Sequence, residues 1–230
     1  RPPACWRVVG PPSPARPALN GRIVLQSASG GEIITVNADG TGLRAVGSGI
    51  DPAWSPDGAR IAFTRWSGQQ GLYVMNADGG NVRLVREIAG AKSPTWSADG
   101  GKIVFTWLYK KATRAPFPGW PFGASEVDFW RITVIDLASG KSEDVPLDPE
   151  GDAFSPSWGS TGLIVYKGVR GLWLTGESGP PWAISADPWH ASPVWSPDGE
   201  RIAFMARRHD HWDIGVMGRD GAGVTYLTSS

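Results

Sequence analysis

Residues 193–204 read PVWSPDGERIAF: a tryptophan, a tight-turn sequence and an alternating apolar run. Two earlier stretches are nearly the same, PAWSPDGARIAF at 52–63 and PTWSADGGKIVF at 94–105. Trp54, Trp96, Trp158 and Trp195 stand 42, 62 and 37 residues apart, each in a Pro-x-Trp context. An apolar run of period two follows each one: RIAFTR at 60–65, KIVFTW at 102–107, LIVYK at 163–167 and RIAFMA at 201–206. A fifth run, RIVLQ at 22–26, has no such tryptophan before it. Next comes a run ending in a polar turn (ITVNADG at 34–40, LYVMNADG at 72–79, ITVIDLASG at 132–140, LWLTGESG at 172–179, IGVMGRDG at 214–221), and then a shorter third run. Self-similarity at this spacing marks a repeat architecture.

One unit follows from elementary conformational preference. In Ser-Pro-Asp-Gly the proline presets φ and the glycine closes the turn, joining two antiparallel strands. Asp-Gly in NADG does the same for the next hairpin. Alternating β-branched and aromatic residues mark strands that meet a neighbour on each face. A sheet of four short strands cannot bury both faces alone, and radial stacking of such sheets gives a β-propeller. No segment of helical length carries a 3.6-residue period, so the fold class is all-β.

The same residues carry a family likeness. Pro-x-Trp-Ser-Pro-Asp-Gly-x-x-Ile-Ala-Phe followed by Leu-Tyr-Val-Met-Asn-Ala-Asp-Gly resembles the repeat of the TolB-type β-propellers over about residues 20–230. It departs from the pattern at Trp158, where GSTG replaces SPDG. The resemblance implies a propeller of four-stranded blades, placement in the periplasm, at the cell surface or outside the cell, and binding of partner proteins on one face. Five copies of the later strands against four tryptophan strands predict five blades, with Cys5-Trp6-Arg7-Val8-Val9 supplying the closing strand. The alternative is a six-bladed ring completed by residues outside the chain.

Composition bounds the partners. Of 230 residues, 22 are basic and 22 acidic, which gives no electrostatic footprint for nucleic acid or an anionic membrane. No apolar run has the roughly 18 residues of a membrane helix. A single cysteine, Cys5, excludes an intramolecular disulfide. Residues 1–20, with six prolines in the first 17, read as an extended arm, and 21–230 as the propeller.

Function is expected where the repeat is interrupted. The SPDG and NADG turns share one face; the loops between second and third strands and the crossovers share the other. The largest interruption is 109–130, YKKATRAPFPGWPFGASEVDFW, expected as an irregular 22-residue loop. It brings Tyr109, Phe117, Trp120, Phe122, Phe129 and Trp130 together with Lys110, Lys111 and Arg114, and the crossover adds Trp189. Aromatic anchors with basic groups suit a protein interface; a cap packed over the channel mouth is the bland alternative. His190, with His209 and His211 in RRHDHW, forms a candidate metal set beside Asp187 and Asp210. That set resembles the histidine metal site of propeller-type oligogalacturonate lyases. Turn chemistry also accounts for the histidines, and no cofactor is expected. The acidic crossover at 147–154, with Asp148, Glu150 and Asp152, reads as a solvated loop. The leading expectation is a non-catalytic protein-binding or scaffold module. The alternatives are a metal-dependent lyase and the propeller portion of a prolyl-oligopeptidase-like hydrolase, although no Gly-x-Ser-x-Gly elbow occurs in the chain.

Overall fold

The computed structural model describes residues 21–114, 125–176 and 179–228. It is an all-β, five-bladed propeller. Blade 1 holds β1 (Arg22–Gln26), β2 (Glu32–Asn37) and β3 (Arg44–Ser48). Blade 2 holds β4 (Ile50–Trp54), β5 (Arg60–Arg65), β6 (Gly71–Asn76) and β7 (Arg83–Glu87). Blade 3 holds β8 (Lys92–Trp96), β9 (Lys102–Arg114), β10 (Ser125–Asp136) and β11 (Ser142–Asp144). Blade 4 holds β12 (Phe154–Trp158), β13 (Ile164–Lys167), β14 (Leu172–Thr175) and β15 (Trp182–Ser185). Blade 5 holds β16 (His190–Trp195), β17 (Arg201–Arg208), β18 (His211–Gly218) and β19 (Thr225–Tyr226). Every blade is an antiparallel meander in chain order, and blade 1 has three strands among the described residues. The segment expected to supply its closing strand, Cys5 to Val9, lies outside the described residues.

The turns form as their residues dictate. Ser55 Oγ accepts from the Arg60 N–H at 2.9 Å and donates to Asp57, whose carboxylate also accepts from the Ala59 N–H at 3.0 Å. Ser97 with Asp99 and Ser196 with Asp198 repeat this arrangement. The hydroxyl and then the backbone N–H hold all three turn carboxylates below their ordinary pKa of 3.8.

Each innermost strand carries a β-bulge at the residue before its proline. Asp51, Ser93, Ser155 and Ser192 have φ of 51°, 51°, 47° and 48°, and pairing breaks register across them. A non-glycine residue in this left-handed region carries strain of order 1 kcal/mol, so the surroundings must hold it. At blades 2 and 3 the hold is visible: Asp51 Oδ2 accepts from the Ser93 N–H at 2.8 Å. The Pro-containing segments of these four strands line a cavity of about 330 Å³.

The core consists of the four blade junctions. Ile33, Ile61, Phe63, Tyr73 and Met75 fill the first; Leu72, Val74, Trp96, Ile103 and Phe105 the second. Ile132, Val134, Ile164 and Tyr166 fill the third; Leu172, Leu174, Trp195, Phe204 and Met217 the fourth. Alternate residues of one strand thus serve opposite junctions, which is why β5 and β6 are apolar at nearly every position. The arginine opening a second strand stacks on the next tryptophan: Arg22 over Trp54 at 4.9 Å and Arg60 over Trp96 at 4.7 Å.

Candidate interaction face

The loop face, opposite the SPDG turns, carries the departures from the repeat. The segment expected as an irregular loop is instead largely a β-ribbon. Strands β9 and β10 stay paired past the edge of the blade, from Trp130↔Leu108 out to Ser125↔Arg114. Register shifts between Phe129 and Trp130, leaving Tyr109 as the extra residue of a bulge. A bulge bends and twists the strand that carries it, so the arm leaves the blade at a new angle. The ribbon has a physical cause: once two strands are paired, extending the ladder satisfies backbone groups that a loop would leave to water.

The root of the arm is fixed. The Trp130 N–H donates to Asp152 Oδ1 at 2.8 Å, and Lys92 Nζ sits 3.4 Å from the centre of a Trp130 ring. Tyr109 is exposed, meets Trp107 edge-on at 5.7 Å and takes the Arg131 guanidinium over its ring at 5.1 Å. Lys110, Lys111 and Arg114 lie on the outer half of β9, with Lys110 opposite Phe129. Phe117, Trp120 and Phe122 lie outside the described residues. Trp189 stands exposed at the blade 4 to blade 5 crossover, under Arg207 at 5.0 Å, with its N–H held by Asp187 Oδ1 at 2.9 Å.

The three histidines divide between two places. His190 is buried, its Nδ1 2.8 Å from Ser185 Oγ and its ring 4.3 Å from that of Phe204. Burial lowers its pKa from 6.5; Asp187 works in the other direction. His209, in the left-handed region at φ 57°, occupies the β17–β18 turn, and its ring stacks on His211 at 6.2 Å. His211 Nε2 lies 3.2 Å from Asp213 Oδ2. Among the described residues no group of three or more His, Cys, Asp or Glu side chains is placed to share a metal ion.

No family model matches the chain, and no curated protein does. Solved structures do. The structure of a putative TolB from Agrobacterium tumefaciens is 19% identical, with a TM-score of 0.69 over 87% of this chain and 75% of that one. TolB from Acinetobacter baumannii is 19% identical, with a TM-score of 0.71 over 91% of this chain and 53% of that one. The fold is that of the TolB propellers. A nidogen/laminin complex gives a TM-score of 0.68 at 10% identity, covering 90% of this chain and 74% of that one. Enzyme-borne propellers share the architecture too, among them an oligogalacturonate lyase in complex with manganese at a TM-score of 0.53.

Within this TolB-type frame, polar groups for which the repeat gives no sign are buried or partly buried. Asp148, expected in a solvated loop, is 3% exposed: its N–H donates to Tyr166 Oη at 2.9 Å, and the tyrosine hydroxyl donates to Asp148 Oδ2 at 3.4 Å. Burial raises the Tyr166 pKa, so the phenol remains a neutral donor. Lys167 Nζ donates to the carbonyls of Gly168 and Val169 at 2.7 and 3.2 Å. Asp213 is fully buried between Arg208, His211 and Thr228. The only sequence signal for Asp213 was a charge interrupting the apolar run before Ile214.

Proposed function

We propose that this TolB-type propeller is a non-catalytic partner-binding module, which meets another protein with its loop face and the β9–β10 arm. The observation that carries the reading is the arm itself: a paired ribbon anchored by Asp152 and Lys92, not a tether. A ribbon held at its root has lost much of its conformational entropy before it meets a partner, which favours binding. Exposed Tyr109 and Trp189, each under an arginine, supply large rigid contact areas with a polar edge. Equal acidic and basic counts favour association through shape over long-range steering. The TolB likeness points to an envelope setting in the periplasm, and no helix among the described residues is long and apolar enough to cross a membrane.

A photo-crosslinking amino acid placed at Tyr109 or Trp189, in cells of the source organism, tests the reading. A discrete crosslinked species is expected, and replacing residues 110–128 by a short turn should abolish it. Undiminished crosslinking at both positions in the shortened protein would overturn the role of the arm.

A further inference from the structure

Arg65, the last residue of β5, is stacked on two aromatic rings. Its guanidinium carbon lies 4.6 Å from the ring centre of Tyr73 and 5.3 Å from that of Phe63, two rings stacked on each other at 5.5 Å. Its Nε reaches the Ser48 carbonyl at a long 3.5 Å. Among the described residues no carboxylate lies within ion-pair distance of it. The side chain borders a pocket of about 300 Å³ between blades 1 and 2, walled also by Trp66, Ser29, Ser48, Gly49 and Ile50. Trp66 is exposed, yet its indole N–H is fixed on the Ala91 carbonyl.

The surrounding charges sharpen this. Arg131 over Tyr109 and Arg207 over Trp189 repeat the pattern on the same face, again without a carboxylate partner among the described residues. Several carboxylates of this face are engaged by groups of the fold, while Asp210, in the β17–β18 turn, has a 98% exposed side chain 3.3 Å from His211 Nδ1. Asp51 holds the Ser93 N–H, Asp152 the Trp130 N–H and Asp187 the Trp189 N–H. Asp148 is tied to Tyr166, Glu150 to Arg170 and Asp213 to Arg208 and His211. Glu87 accepts from Gln69, while Glu32 stands exposed without such a contact. Among the described residues, Arg65, Arg131 and Arg207 are thus stacked on aromatic rings on this face without a carboxylate partner. A planar guanidinium held by aromatic rings keeps its N–H edge for bidentate contact with a carboxylate, and the indole beside it suits an apolar neighbour.

We propose that the Arg65 pocket binds a carboxylate displayed on an extended segment of a protein partner, with Arg131 and Arg207 as further contacts. This rests on the partner-binding reading above and names the partner's chemistry.

Three hexapeptides carrying a neutral dye test it by fluorescence anisotropy with the full chain. The first alternates glutamate and phenylalanine and ends in an amide. The second has glutamine for glutamate. The third is the glutamine peptide with a free C-terminal carboxylate. Binding by the first points to acidic side chains as the source, and binding by the third to a chain terminus. Arg65→Gln should weaken binding about tenfold, with Arg65→Lys between it and the parent, because lysine keeps the charge but loses the fork. Lys141→Gln, on the turn face, should leave affinity unchanged. Equal binding of all three peptides, no binding of any, or no effect of Arg65→Gln in a protein with unaltered circular dichroism would overturn the proposal. The protein shortened at 110–128 separates the two ideas. Peptide binding that survives there while crosslinking is lost supports both. Peptide binding without any arm-dependent crosslink leaves the pocket standing and removes the reading of the arm.

Discussion

Tyr166 and Asp148 show how a single hydroxyl secures a crossover. The Tyr166 ring is fully buried at the third junction, and its oxygen is the acceptor for the Asp148 N–H. Tyr166→Phe keeps the ring but leaves that N–H buried without a partner, which should cost roughly 1–2 kcal/mol. Urea unfolding reads this directly, and a loss near zero would show that the crossover does not depend on the bond. His190 makes a pH-dependent contribution whose sign can be worked out. Burial lowers its pKa in the folded protein from 6.5, so between the two values the unfolded chain binds the proton more tightly. The stability associated with the neutral ring is fully present above about pH 6.5 and is lost as the pH falls below it. Comparing stability at about pH 5 and about pH 7.5 should show a smaller difference in His190→Asn than in the parent. An unchanged difference would assign the pH dependence to other groups.

At the scale of the element, what could be read from sequence was what depends on near neighbours in the chain. The second strands beginning at Arg22, Arg60 and Arg201 lie where the alternating runs begin, because period-two burial and Ser-Pro-Asp-Gly turns are local signals. The pairing of the arm was not legible, since KKATR lacks the alternation that marks a half-buried strand and SEVDF alternates over only four residues, Glu126 to Phe129. Their pairing continues a ladder begun inside the blade. Nor was the burial of Asp148 and Asp213 legible. Asp148 is tied to a tyrosine 18 residues on, and Asp213 to a threonine 15 residues on; neither spacing is a recognisable motif. Of the proposed contacts, Tyr109 and Trp189 were visible as aromatic breaks in the repeat, while Arg65 was hidden inside a regular strand. The structure of the arm makes a prediction of its own. Within the blade, pairs from Trp130↔Leu108 to Asp136↔Lys102 remain when residues 110–128 are replaced by Asn-Gly. The melting temperature should then stay within about 3 °C of the parent. A larger fall would mean that the arm packs back on the propeller and belongs to its core.

At the scale of the whole molecule, burial is unequal along the row of blades. Strands β4, β8, β12 and β16 pack in sequence, and β1 packs on β4, but among the described residues no comparable packing joins blade 5 to blade 1. Equivalent positions of the repeat show the result. Ile23 and Leu25 are 50% and 39% exposed where Ile61 and Phe63 are at 0%, and Ile214 is 41% exposed where Leu72 is at 0%. Half-exposing an apolar side chain of this size forfeits roughly 1 kcal/mol each. In a stack where each unit is stabilised by its neighbours, blades covered on one face open at lower free energy than blades covered on two. Native-state amide exchange should therefore find β2 and β18 exchanging through local openings well below the global unfolding free energy. The amides of β6 and of 103–106 in β9 should exchange only near that limit. Equal protection in all four segments would show that the two outer faces are covered in solution, and Ile23, Leu25 and Ile214 would then be buried contacts.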